Sequence, residues 1–340
     1  GDPKAIPWSH TTPIKCAIDG YLHHDIKPKE VVAWPTNLGW MMGPWLIFAS
    51  LVNRATIGLY CGVPGTSGFG RFVQEAEVNL LGVVPSLVRA WRASDCMRGL
   101  DWAKIKAFSS TGECSDPDDM LYLMHLADYK PVIEYCGGTE IGGGYIAGTL
   151  VQPASPGTFT TPALGSAFEI IDEKGAAADR GELFLRPPAM GLSRELLNAD
   201  HHEVYFEGVP VAGGSVRRRH GDRLEVLGGG YYRARGRVDD TMNISGIKVG
   251  AAEIEESLSG LSWVRETAAI AVLPADGGPS LLIVYAVVEP DQRQDPSLVV
   301  IGRSEAVRYG GVPEMVKRVQ AYQETGVDAI FLVGITKPEE

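Results

Sequence analysis

Between Gly236 and Glu255 the chain runs Gly236-Arg237-Val238-Asp239-Asp240-Thr241-Met242-Asn243-Ile244-Ser245-Gly246-Ile247-Lys248-Val249 and, after a short gap, Glu253-Ile254-Glu255. Polar side chains crowd here between two apolar strands, without the logic of a surface turn. Arg237 offers a fork of donors suited to phosphate or ribose oxygens. Gly246, lacking a Cβ, lets the backbone approach a ligand closely. Asp239 and Asp240 fall where a large upstream unit meets a smaller downstream one.

Downstream, a strand is predicted over 243–249, a helix over 251–258, and strands over 268–273 and 281–288. Residues 290–296 are polar and bounded by Pro290 and Pro296, which reads as a linker. A strand at 298–301, a helix at 313–325 and a strand at 328–333 close the chain, with Met315, Val316, Val319 and Tyr322 on one stripe and Gly326 as the helix stop. Upstream, segments 168–172 and 181–185 flank the turn Glu173-Lys174-Gly175, and Gly228-Gly229-Gly230 marks another turn, so residues 160–235 are expected to be mostly antiparallel. The first 135 residues alternate apolar runs (31–34, 55–60, 80–84, 132–135) with helix-length stretches such as 116–127, where Asp116 or Ser115 caps and Pro117 fits the first turn. Strands alternating with helices imply an α/β fold with a largely parallel sheet covered on both faces.

The chain has 340 residues, 45% of them hydrophobic, enough for one large domain or two to three smaller ones. A formal net charge of -11 repels polyanions and speaks against nucleic acid as a partner. The run Arg217-Arg218-Arg219-His220 is the one basic patch, either a solvated strand end or a place for a phosphate-bearing cofactor. Five cysteines without a C-x-x-C pair indicate reduced thiols in an intracellular setting rather than a disulfide framework or a structural zinc site. No apolar stretch reaches the ~18 residues of a membrane span. The opening Gly1-Asp2-Pro3-Lys4, without an initiator Met, reads as a processed or truncated end.

Four further segments carry chemistry-bearing side chains. Tyr135-Cys136-Gly137-Gly138-Thr139-Glu140 follows a predicted strand and sets a hydroxyl beside a carboxylate, a pair able to orient phosphate and ligate Mg²⁺. Gly112-Glu113 ends another strand, at the carboxyl edge where open α/β sheets bind ligands. His220-Gly221-Asp222 offers a carboxylate for ribose hydroxyls, and Asn37-Leu38-Gly39-Trp40 precedes a helix. His23-His24 and His201-His202 lack a third ligand at useful spacing, and Trp34, Trp45, Trp91 and Trp102 read as core anchors.

In this order, with Gly1-Asp2-Pro3-Lys4 matching the tail of a phosphate loop, these segments resemble the adenylate-forming (AMP-binding) family of acyl-CoA synthetases, luciferases and peptide-synthetase adenylation domains. The nearest look is to acetyl-CoA synthetase-like enzymes and, within them, the plant acyl-activating branch. The resemblance covers residues 1 to about 290. It implies a large AMP-binding domain over 1–238, shortened at its amino end, and a small α+β subdomain over 239–290. It implies ATP/AMP, Mg²⁺ and CoA as cofactors and a small carboxylic acid as substrate. It places Thr139 on phosphate and Glu140 on Mg²⁺, with Gly138 beside them. Gly112 and Glu113 would lie along the adenine, Asp222 and Arg237 at the ribose, and Lys4 on phosphate. Asp239 would be the hinge, Gly246 would line the CoA tunnel, Lys248 is a candidate catalytic cation, and Trp40 would shape the acyl pocket.

Two family features have no match: the Ser/Thr/Gly half of the phosphate loop, and the late Pro-x-x-x-x-Gly-Lys segment whose lysine stabilises the adenylation transition state. The expectation is therefore an acyl-CoA ligase that is incomplete or impaired. The alternatives are a nonenzymatic nucleotide-binding remnant or fusion, or a carbon–carbon lyase. The lyase rests on residues 297–340, which resemble one βαβ unit of the isocitrate lyase and phosphoenolpyruvate mutase superfamily, a TIM barrel, with Arg303 matching a substrate-contacting arginine. The expected compartment is cytoplasmic or peroxisomal, although Lys337-Pro338-Glu339-Glu340 is not a peroxisomal address.

Overall fold

The computed structural model describes residues 4–210, 216–238, 241–244, 247–250, 264–272, 281–288, 301–304 and 329–332, with Ile254 and Leu258. The alternating first third folds in the order α1 (Thr11–Leu22), β1 (Val31–Ala33), α2 (Met42–Val52), β2 (Thr56–Gly58), α3 (Ser67–Glu75), β3 (Leu80–Val83), α4 (Pro85–Ser94), β4 (Ala107–Ser110), α5 (Pro117–Leu126) and β5 (Val132–Gly138). β6 (Gly143–Ala147) and β7 (Thr161–Pro162) follow. The seven strands form one sheet in the order β2-β1-β3-β4-β5-β6-β7. β1 to β5 pair in parallel as expected, whereas β6 and β7 add an antiparallel edge. That edge was hidden in the sequence because its glycines read as loop.

Successive residues of each strand serve opposite faces, so these strands are apolar throughout. Leu81, Phe108 and Val132 pack with Phe69, Trp91 and Leu123 on one side. Leu80, Ala107 and Ile133 pack with Trp34, Trp45 and Leu46 on the other. Both α4 and α5 open on a proline, whose missing amide costs nothing in a first turn. Asp116 caps α5, its Oδ1 accepting the amides of Asp118 at 2.9 Å and Asp119 at 3.2 Å.

A second, antiparallel sheet comprises β8 (Phe168–Ile171), β9 (Arg180–Leu185), β10 (Arg218–Leu227) and β11 (Tyr231–Arg237), in the order β11-β10-β9-β8, with α6 (His201–Phe206) inserted before β10. The Gly228–Gly230 turn joins β10 to β11, as its glycines foretold.

The strand expected over 243–249 is instead a hairpin of β12 (Thr241–Ile244) and β13 (Ile247–Gly250), with Asn243 opposite Lys248. The alternation of Met242 and Ile244 breaks phase at Ser245-Gly246 before Ile247 and Val249, which is a turn signal. β14 (Val264–Val272) and β15 (Leu281–Val288) are antiparallel. β16 (Ile301–Ser304), three residues later than expected, pairs in parallel with β17 (Ala329–Leu332). Apart from Ile254 and Leu258, the expected helix at 251–258 lies outside the described residues, as do the linker at 290–296 and the helix at 313–325. Among the described residues, no helix is long and apolar enough to cross a membrane.

Candidate nucleotide site

The carboxyl ends of β4 and β5 lie side by side, at the edge where a parallel sheet leaves a crevice. β5 continues through Gly138, so Gly137 and Gly138 belong to the strand. A Cβ on Gly137 would stand 1.9 Å from the Gly143 carbonyl oxygen, and one on Gly138 would stand 2.5 Å from Glu140 Oε2. The two glycines thus let β6 close on β5 and leave room for the Glu140 carboxylate. Thr139 is exposed at the tip, its carbonyl accepting the Trp8 indole N–H at 2.9 Å. The Glu140 carbonyl accepts the Ser193 amide at 2.7 Å.

β10 delivers the opposite wall. His220 and Asp222 flank Gly221, whose φ of +88° interrupts the strand, and their side chains meet. Asp222 accepts the Tyr145 hydroxyl at 2.8 Å and Arg237 Nη1 at 3.0 Å. Arg237 Nη1 also donates to the His220 carbonyl at 2.8 Å. The fully buried His220 ring stands between two carboxylates, Nδ1 3.3 Å from Glu140 Oε1 and Nε2 3.2 Å from Asp222 Oδ2. These are charge contacts without the alignment of hydrogen bonds. Burial disfavours the charged ring, yet Asp222 and Glu140 raise its pKa above the ordinary histidine value. Glu140, His220, Asp222 and Arg237 therefore form one continuous charged chain. His220 was visible in the sequence, but only the pairing geometry makes it the link.

Gly112, with φ of +93°, turns the chain away from β4. The Glu113 carboxylate accepts the Ser86 amide at 2.9 Å in the first turn of α4, where an anion meets the positive helix end. Its side chain is thus engaged in holding the start of α4. A small cavity beside it is lined by Glu113, Ser115, Glu134, Phe159, Arg233 and Arg235. Glu134 was not anticipated, although a carboxylate inside the apolar run 132–135 is a signal. Its Oε2 accepts the Ser115 hydroxyl at 2.8 Å, and its buried Oε1 has no hydrogen-bond partner. Burial pushes its pKa up to about 8, so it is largely protonated at neutral pH.

The other expected residues are more scattered. Lys4 Nζ lies 5.1 Å from the centre of the Tyr205 ring. Trp40 is exposed in the turn before α2. Lys248 and Arg303 are placed on β13 and β16, while Asp239 and Gly246 lie outside the described residues. The basic run is neither a solvated face nor an open patch. Arg217 pairs with Glu169 at 2.7 Å, Arg219 pairs with Glu182 at 3.0 Å, and Arg218 points inward. His24 packs its ring against Trp45 and Tyr135, and the four tryptophans read as core anchors are buried, as the sequence suggested.

Among the described residues, no group of three or more His, Cys, Asp or Glu side chains could hold a metal by itself. Mg²⁺ commonly takes one or two carboxylates and completes its shell with substrate phosphates and water. The Glu140 carboxylate beside Thr139 fits a cation that arrives with a nucleotide.

No family model matches the chain. An Arabidopsis thaliana protein named probable acyl-activating enzyme 17, peroxisomal, is 51% identical over 310 residues, which is 89% of this chain and 43% of that protein. The hexanoyl-CoA synthase of Cannabis sativa is 51% identical over 295 residues, 85% of this chain and 41% of that protein. Acetoacetyl-CoA synthetase from Streptomyces lividans shares the fold with a TM-score of 0.65 at 24% identity, over 98% of this chain and 50% of that one. The chain thus spans less than half the length of these curated relatives. Neither the barrel-type tail nor the lyase and binding-remnant readings gain support from these likenesses. The chain is a homologue of the acyl-activating enzymes and acyl-CoA synthetases, with an α/β fold resembling that of adenylate-forming ligases.

Proposed function

We propose that the chain is the nucleotide-handling part of an AMP-forming acyl-CoA ligase. A carboxylic acid and ATP would give acyl-AMP and pyrophosphate, and the thiol of CoA would then displace AMP to give the thioester. The observation that carries this reading is the chain Glu140–His220–Asp222–Arg237, which joins the phosphate-side tip of β5 to a preoriented carboxylate on β10.

A carboxylate resists thiol attack, and adenylation supplies AMP as a leaving group. The chemistry demands that the acid oxygen be held against the α-phosphorus while charge grows on the departing pyrophosphate. Asp222, its oxygens already fixed by Arg237 and Tyr145, would accept the ribose hydroxyls. Thr139 would donate its hydroxyl to phosphate. Glu140 would hold Mg²⁺, which supplies charge neutralisation when bound. The nucleobase would lie along the Gly112-Glu113 backbone and into the neighbouring cavity, where protonated Glu134 can donate as well as accept a hydrogen bond.

Lys4 and Lys248 are assigned to the phosphate side, Gly246 to the CoA path and Asp239 to the pivot between a large unit, 1–238, and a small one, 239–290. Residues 297–340 are assigned as a separate unit, of which the two described strands, β16 and β17, pair in parallel. The likeness to a hexanoyl-CoA synthase supports a short or medium-chain fatty acid as substrate, and the peroxisomal relative supports that compartment.

Titration calorimetry with AMP, and detection of acyl-AMP from hexanoate and Mg·ATP, test the reading. Wild type is expected to bind AMP, and Asp222→Ala to lose about tenfold or more in affinity, the loss of a charge-assisted hydrogen bond. Absence of AMP binding by wild type overturns the proposal.

A further inference from the structure

Arg218 opens β10, two residues before His220, and is 1% exposed. Its Nη1 donates to the Ser193 carbonyl at 3.3 Å and its Nη2 to the Ser193 hydroxyl at 2.8 Å. The guanidinium carbon lies 3.8 Å from the centre of the Tyr205 ring. Among the described residues, no carboxylate comes within ion-pair distance of it, and its Nε is buried without a hydrogen-bond partner. A buried charge with so few partners is costly, and its retention calls for a use. The negative group whose field acts on it is Glu140.

Ser193 connects the two residues. The serine whose carbonyl and hydroxyl Arg218 grips is the one whose amide donates to the Glu140 carbonyl at 2.7 Å. Glu140 sits in a glycine-flanked turn, between Gly138 and Gly142, whose backbone is held by the Ile141 and Gly142 amides on the Gly138 carbonyl, both at 3.0 Å, and which leaves the Glu140 side chain to be oriented by its neighbours. Its carboxylate meets His220 on one side, so the positive field of Arg218 acts as a second restraint. At 1% exposure Arg218 is shielded from contact with a nucleotide, so it acts through its neighbours.

We propose that Arg218, working through Ser193, is a positioning residue for Glu140 and readies its carboxylate for the metal of Mg·ATP. The proposal rests on the reading of Glu140 given above. Ser193 and Tyr205 belong to the same support, and none of the three needs to touch ligand.

The test compares ATP affinity in excess Mg²⁺ with ATP affinity in a chelator, alongside AMP affinity, all by calorimetry on the full chain. Wild type is expected to gain affinity from Mg²⁺, and E140Q to lose that gain. R218M is expected to keep AMP affinity while the Mg²⁺ gain shrinks about 10–100-fold, the usual cost of losing an outer-shell partner. R218K, which keeps the charge but cannot fork onto Ser193, should restore part of it. E140Q/R218M should be no worse than E140Q alone, since both changes act on one interaction. S193A guards against a misfolded R218M: it removes one bond only and must still reduce the Mg²⁺ gain. An unchanged gain in R218M or S193A overturns the proposal, as does an R218M defect equal for AMP and Mg·ATP. Wild type that binds AMP but gains nothing from Mg²⁺ removes Glu140's role and the proposal with it. Wild type that binds neither nucleotide overturns the reading of the whole site.

Discussion

Gly221 turns β10 between His220 and Asp222 with φ of +88°, and a Cβ there would stand 2.5 Å from Arg237 Nη2. Gly221→Ala should cost about 1–2 kcal/mol of backbone strain and push Arg237 off Asp222. Its denaturant midpoint and its AMP affinity are expected to fall together, and a variant weakened in neither would deny Gly221 this role. Glu134 behaves differently. Burial raises its pKa from the ordinary 4.5 to about 8 in the folded chain. Between those two values the native state keeps a proton that the unfolded chain has released, so stability falls as pH rises through that window and levels off above it. Urea midpoints measured from pH 5 to pH 8 should therefore decline more steeply for wild type than for Glu134→Gln. Parallel profiles would mean that Glu134 is ionised in the native state.

At the scale of elements, α1 is the platform of the tip that carries Thr139 and Glu140. Lys15 and Asp19, both fully buried, pair at 2.7 Å across one turn of the helix. Asp19 Oδ2 accepts the Tyr135 hydroxyl of β5 at 2.6 Å and the Gly144 amide of β6 at 2.9 Å. The Cys16 thiol donates to the Gly142 carbonyl at 2.8 Å. One helix thereby holds both strands that flank Thr139 and Glu140, and it also presses on the turn that joins them: a Cβ on Gly142 would stand 1.9 Å from Thr12 Cγ2. Lys15→Met would leave Asp19 charged and uncompensated in the interior, an expected loss of about 3–5 kcal/mol. Urea unfolding measures it, and a loss under about 1 kcal/mol would show that the pair contributes little.

For the molecule as a whole, the site draws Thr139 and Glu140 from the end of the parallel sheet and His220, Asp222 and Arg237 from the antiparallel one. A ligand that grips both walls couples their stability. AMP at a hundred times its dissociation constant should add about 2.7 kcal/mol. In a chain of this size that raises the thermal midpoint by roughly 4 °C. Asp222→Ala at the same AMP concentration should show little of that rise, and an undiminished rise would place the nucleotide elsewhere.

By itself the sequence determined the class of fold and the order of the chemical segments. Apolar runs alternating with helical stretches dictate a parallel sheet, because a strand covered on both faces must be apolar on both, as Leu80-Leu81 and Ala107-Phe108 are. Proline at the start of α4 and α5 and the glycine turn at 228–230 were legible for the same local reason: backbone chemistry acts within a few residues. The antiparallel β6 and β7, the hairpin at 241–250 and the partners of the charged groups were not. Nothing in the local sequence tells that the Glu113 carboxylate meets the first turn of α4, or that Arg218, alone of the three arginines, is buried against Ser193 and Tyr205 without a carboxylate partner among the described residues. Which charges face each other depends on segments far apart in the chain, such as those that carry Glu140 and His220. Burial and pairing arise only when those segments meet, so the surroundings of Glu134, His220 and Arg218 were decided by the tertiary structure.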